Sequence, residues 1–189
     1  MRTPRIVFGY HGCDESTLRM VLDCGALRPS QNAYDWLGHG VYFWEDSPAR
    51  AMRWAEEMKL RPEGPISRPT VLGAIINLGN CLNLIDPERA SLVQQAYLDY
   101  LQQCDDRRDP PAKNKGIECK ARFLDCAVMN LLHKLRSEGD LPPFDTVSGF
   151  FVEGRPLYPT AGLRSLDHVQ ICVRSPACIA GFFRPNTSH

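Results

Sequence analysis

Two short stretches carry the residues best suited to chemistry: Tyr10-His11-Gly12 and, about thirty residues on, Gly38-His39-Gly40-Val41-Tyr42-Phe43. Both lie in apolar, aromatic runs that read as strands, so a histidine and a tyrosine stand on adjacent strands, with glycines where a flat ligand can approach the backbone. The pair suits a cofactor with a planar amide ring. The ring would stack on Tyr42, its carboxamide would pair with Gly12, and His11 would hydrogen-bond a ribose hydroxyl. Each residue also has a plainer reading: His11 as a hydrogen-bonded edge residue, Tyr42 as an alternating core aromatic.

The helix expected after Tyr42 brings two more candidates. Arg50 could meet a phosphate or could be a solvated helix residue, and Trp54 could stack on a ligand or simply pack. A third piece is expected at a late strand, where Glu153 and Gln170 stand out and Asp145 is weaker. A carboxylate there could stabilise positive charge on a ribose as a leaving group departs, or deprotonate an incoming nucleophile. A glutamine could only hydrogen-bond, since it carries no charge and takes no proton at neutral pH. The chain has no GxGxxG after the first strand and no GxxxxGK[ST], so any nucleotide is held by another scheme. HExxH and GxSxG are missing as well.

Elements must position these groups. Residues 6–10 read as a strand, followed by a helix capped by Asp14 or Ser16 with Leu18, Val21 and Leu22 on one stripe and a stop at Gly25. A polar loop, 29–38, holds Tyr34 and Trp36, and a strand follows over 41–44. Ser47-Pro48 opens a helix over 48–59. The stretch 70–78 is the most hydrophobic strand, and 79–84 continues it or returns beside it. Helices are expected over about 86–103, with Leu92, Ala96 and Leu101 buried, and over about 117–135, separated by a polar, proline-broken linker. Strands over 147–152, 169–173 and 179–183 complete a mixed α+β chain without internal repeats.

At 189 residues the chain fits one domain over 1–189. Lysine plus arginine and aspartate plus glutamate both total 22, so no global field draws it to nucleic acid or an anionic membrane. The start lacks the pattern of a secretory signal and no apolar run is long enough to span a bilayer, so a cytoplasmic protein without a membrane partner is expected. Of the eight cysteines, Cys24, Cys126 and Cys172 sit among apolar neighbours and read as buried thiols; none has the spacing of a zinc site.

Taken in order, His11-Gly12, the Gly38 to Phe43 segment, the helix behind it and Leu22-Asp23-Cys24-Gly25-Ala26-Leu27 resemble the ADP-ribosyltransferase superfamily, the fold of diphtheria toxin and the poly(ADP-ribose) polymerases. The match is specific over residues 8–55 and loose beyond. The resemblance implies split mixed β-sheets with flanking helices and NAD as the donor. It implies that His11 contacts the adenosine-side ribose, Gly12 the nicotinamide carboxamide and Tyr42 the nicotinamide ring. A second stacking aromatic is expected eleven residues after the tyrosine, where Arg53 stands, with Trp54 one further. The family's catalytic glutamate falls on Gln170, a departure for which Glu153 could compensate. The loop 154–167, with Tyr158 and Arg164, would then face the acceptor. The implied activity is mono-ADP-ribosylation of a protein or nucleic acid with release of nicotinamide, in the manner of a compact bacterial toxin or defence effector with an antitoxin or regulatory partner. NAD glycohydrolase activity and an inactive NAD-binding or interaction module are the alternatives.

Overall fold

The computed structural model describes residues 5–116 and 119–186. Seven strands form one mixed sheet in the order β4-β5-β6-β2-β1-β3-β7. They are β1 (Ile6–Asp14), β2 (Val41–Glu45), β3 (Pro69–Asn77), β4 (Cys81–Asn83), β5 (Thr146–Phe151), β6 (His168–Val173) and β7 (Ile179–Phe183). Among the described residues four α-helices flank it: α1 (Glu15–Cys24), α2 (Pro48–Lys59), α3 (Pro87–Arg107) and α4 (Phe123–Glu138). The mixed α+β architecture and the order of strands and helices follow the periodicities. The resemblance implied split sheets, whereas the strands pair into one sheet; β1 runs past the expected 6–10 to Asp14, and Leu22, placed on the apolar stripe of α1, is exposed. Three further departures have local causes.

The first concerns residues 79–84. They neither extend β3 nor return beside it: β4 crosses to the far edge of the sheet and pairs parallel with β5, through Cys81↔Thr146 and Asn83↔Ser148. Gly79, at φ 56°, permits the turn, and burial of Leu82 under α3 and α4 fixes the strand there. The second concerns α4. Its expected first residue, Ile117, lies outside the described residues, and the helix begins at Phe123. The Lys115↔Ala121 bridge occupies the preceding chain. Asn114 Oδ1 accepts from the Leu124 and Asp125 N–H groups, capping the helix from outside its own sequence. The third is Cys24, which is exposed at the end of α1, whereas Cys126 and Cys172 are buried as expected.

Alternation along the strands divides the sheet into two faces. One carries Val7, Phe43, Ala74, Ile76 and Ile171 in a continuous core, and α1 packs on its flank through Leu18 and Val21 against Leu72 and Cys13. Asp14 ends β1 and caps α1 in one stroke, accepting from the Ser16 N–H at 2.9 Å. The other face is covered at two places by different helices. α2 lies over β1 and β3, burying Ala51 against Trp44 and Val71. α3 and α4 cover the opposite end, burying Ala96, Val128, Met129 and Leu132 against Leu82, Val147 and Cys172. Between the two helical layers the sheet is left open at β2 and β6.

The pairing of β1 with β2 is short. Its register runs through Gly9↔Glu45 and Tyr10↔Trp44, whereas β1 keeps pairing with β3 as far as Asp14↔Pro69 and β2 keeps pairing with β6 back to Val41↔Val173. A seam therefore opens between His11 and Tyr42 at the same end of the sheet.

Candidate functional site

The seam and the gap between helical layers merge into a cleft of about 540 Å³. His11, Tyr42, Arg50, Trp54, Glu153 and Gln170 all line it, brought from three strands, one helix and the loop after β5. Tyr34 and Trp36 of the 29–38 loop line it too. Tyr158 stands apart, in a separate hollow of the 154–167 loop. Asp145 is also remote, its carboxylate accepting from the Asn80 N–H at 2.8 Å.

His11 belongs by alternation to the face opposite Tyr42 and reaches the cleft because the two strands have parted. Its Nδ1 lies 2.8 Å from the Tyr42 carbonyl oxygen. A carbonyl only accepts, so Nδ1 carries the proton. Burial lowers the pKa of the ring, against the opposing effect of that hydrogen bond, and the neutral imidazole leaves Nε2 as an acceptor. An acceptor at this point suits a hydroxyl group.

Tyr42 is held by its own hydroxyl, which donates to the Gly38 carbonyl at 2.7 Å and accepts from the Leu37 N–H at 3.0 Å. Desolvation pushes this phenol far above its ordinary range, so it serves as a fixed ring and not as an acid or base. Gly12 has a packing role of its own. It does not line the cleft; a Cβ there would stand 2.2 Å from the Ala51 carbonyl oxygen, so its lack of a side chain is what lets α2 lie on β1. Arg53, the residue at the eleven-residue spacing, is exposed and pairs with Glu57 at 3.0 Å, while Trp54 faces the cleft.

Arg50 is not solvated. It is 9% exposed, its guanidinium lies 5.4 Å over the Trp44 ring, and Nη2 donates to Glu153 at 2.7 Å. Its Nε and Nη1 are buried with no hydrogen-bond partner among the described residues. Two buried cationic donors without acceptors are costly, and an anionic oxygen is the group that would satisfy them. Glu153 also receives Lys120 at 3.3 Å. Burial pushes its carboxyl up, but Arg50 and Lys120 outweigh this and hold it below the usual carboxylate range. Basic side chains of the cleft (Arg28, Arg50, Arg61, Lys120, Arg122) outnumber the acidic ones, Asp35, Glu57 and Glu153.

Gln170 sits opposite Trp44 on one side and Gly149 on the other. Its Oε1 accepts from the Trp36 indole N–H at 2.6 Å. Trp36 can reach it because residue 149 is a glycine: a Cβ there would stand 2.8 Å from the indole Cη2. An indole N–H only donates, so this bond turns the amide oxygen toward Trp36 and leaves the amide nitrogen free to donate to a ligand.

An aromatic wall joins these groups, and of its members Trp44, Phe151 and His168 were not singled out from the sequence. Trp36 packs edge-on to Phe151 at 5.1 Å, Phe151 stacks on His168 at 5.3 Å, and Trp44 is 6.2 Å from His168 and 5.8 Å from Trp54. Period-two alternation held the signal for two of them, since Trp44 is two residues from Tyr42 and His168 two from Gln170. Lys120 and Arg122 had no such signal; they enter from the linker. Among the described residues no group of three or more His, Cys, Asp or Glu is placed to hold a metal ion, and no helix is long and apolar enough to cross a membrane. Comparison of this chain with protein-family models, with curated proteins and with solved structures gives no match.

Proposed function

We propose that the cleft binds NAD and that the protein is a mono-ADP-ribosyltransferase, moving ADP-ribose to an acceptor with release of nicotinamide. The observation that carries this reading is the seam: His11 and Tyr42, on strands that part after Tyr10 and Trp44, face one cleft together with Arg50, Glu153 and Gln170. The chemistry of the lining fits the donor part by part. The Tyr42 ring suits the nicotinamide, the Nε2 of His11 suits a ribose hydroxyl, and the unpartnered nitrogens of Arg50 suit a phosphate oxygen. The amide nitrogen of Gln170 can donate to a ribose hydroxyl oxygen.

Glu153 brings a carboxylate to the cleft beside Arg50. Ionised and held by Arg50 and Lys120, it suits electrostatic stabilisation of the positive charge that develops on the ribose more than strong-base catalysis. A second reading, NAD binding without transfer, is favoured by Gln170, which offers a hydrogen bond where a carboxylate would offer charge. Incubation with NAD labelled in the adenosine half and with separate pools of protein, RNA and small-molecule alcohols distinguishes them. Label attached to an acceptor is expected. Free ADP-ribose alone would point to a glycohydrolase, and unaltered NAD that still shifts the melting temperature would point to the binding module.

A further inference from the structure

The cleft shares a wall with a second cavity of about 610 Å³, where α3, α4 and the end of β5 meet. Trp36, Phe151 and Arg122 line both. The remaining walls are mostly apolar, with Val93 of α3 and Val128 and Met129 of α4 among them. The volume is that of a small-molecule site, which runs from about 300 to 1,000 Å³. Arg122 and Asp125 are the charged members of the lining and pair with each other at 3.3 Å. The cavity therefore presents no net charge to a ligand, which disfavours a phosphate backbone and favours an uncharged apolar body. One polar demand is left: Arg122 Nε is buried with no acceptor among the described residues. Its guanidinium lies 5.2 Å over the Phe151 ring, at the shared wall.

We propose that this cavity is the acceptor subsite and that the acceptor is a neutral small molecule with a planar apolar body and a hydroxyl group. This rests on the proposed NAD-dependent transfer. The body would lie among Val93, Val128 and Met129, with its hydroxyl oxygen accepting from Arg122 at the shared wall and directed past Trp36 and Phe151 to the ribose that Gln170 holds. In the step, the acceptor oxygen bonds to the anomeric carbon as the glycosidic bond breaks. The nicotinamide nitrogen keeps the electron pair and leaves neutral, and the hydroxyl proton is lost to solvent water.

The test uses 2-naphthol as the probe, with the wild type and two variants that fill the cavity from α3, Val93→Trp and Gln94→Trp; the second alters an exposed position and guards against misfolding of the first. Saturable 2-naphthol binding to the wild type is expected, weakened at least tenfold in both variants while the NAD-dependent melting shift is unchanged. With NAD, mass spectrometry should show naphthyl ADP-riboside from the wild type and little from the variants. Absence of saturable binding, equal binding by the variants, or modification of a protein or RNA that the variants carry out undiminished would each overturn the proposal. Loss of the NAD shift with 2-naphthol binding intact would overturn the acceptor role through failure of the NAD reading, a result distinct from an empty cavity.

Discussion

Gln170 turns its amide nitrogen to the cleft because Trp36 has already claimed the oxygen at 2.6 Å. Trp36 is thus a positioning residue in this account. Trp36→Phe, which keeps an aromatic wall but frees the amide to flip, should lower kcat about as much as Gln170→Ala, roughly tenfold, with a smaller effect on melting temperature; steady-state kinetics with NAD check this. Tyr42 separates ring from hydroxyl in the same way. Tyr42→Phe leaves the Leu37 N–H and the Gly38 carbonyl without their partner and should cost about 1–3 kcal/mol of stability. It should retain NAD affinity within a few-fold, whereas Tyr42→Ala should lose it. Chemical denaturation and calorimetric titration of the two variants give the comparison. These residues differ in how far sequence exposes them. His11, Tyr42 and Arg50 could be picked out because type and local spacing suggest a role. The partner that orients Gln170 could not, since it lies 134 positions away on a loop and is admitted only by the missing side chain of Gly149.

Elements succeed or fail in sequence according to whether their determinants are local. The start of β1, and α1, β2 and α2, were legible because each carries its own period and punctuation: Asp14 as a cap, Gly25 as a stop and Pro48 in the first turn. The path of β4 was not, because a three-residue strand has too little pattern to choose between neighbours and is placed by the helices over Leu82. The start of α4 was hidden for a related reason, its cap being Asn114 from the preceding linker. Gly12 shows that a glycine beside a site can also be needed by a helix. Gly12→Ala would drive a Cβ into the Ala51 carbonyl and should destabilise the protein by about 1–3 kcal/mol by displacing α2 from β1. A melting temperature equal to that of the wild type would contradict the packing role.

At the scale of the whole molecule, one sheet face supports two separate helical layers, and the cleft is the space between them. The mixed α+β class was readable from the order of periodic segments, but the seam was not, because the parting of β1 from β2 depends on pairing with β3 and β6. Burial gives the fold a pH dependence. Desolvation depresses His11 and His168 below their ordinary value and takes His133 to about 3. The unfolded chain therefore binds protons that the folded chain refuses once the pH drops below about 6.5, and stability falls with acidification by up to about 1.4 kcal/mol per pH unit for each histidine. His133→Gln should make the decline in unfolding free energy between pH 7 and pH 5 less steep, as read by urea titration. The most direct measurement of the central claim is calorimetric titration of NAD into the wild type and into His11→Ala, a variant that removes the Nε2 acceptor at the seam. Saturable binding by the wild type, weakened at least tenfold in the variant, is the predicted result. No binding by the wild type, or equal binding by the two, would contradict the account.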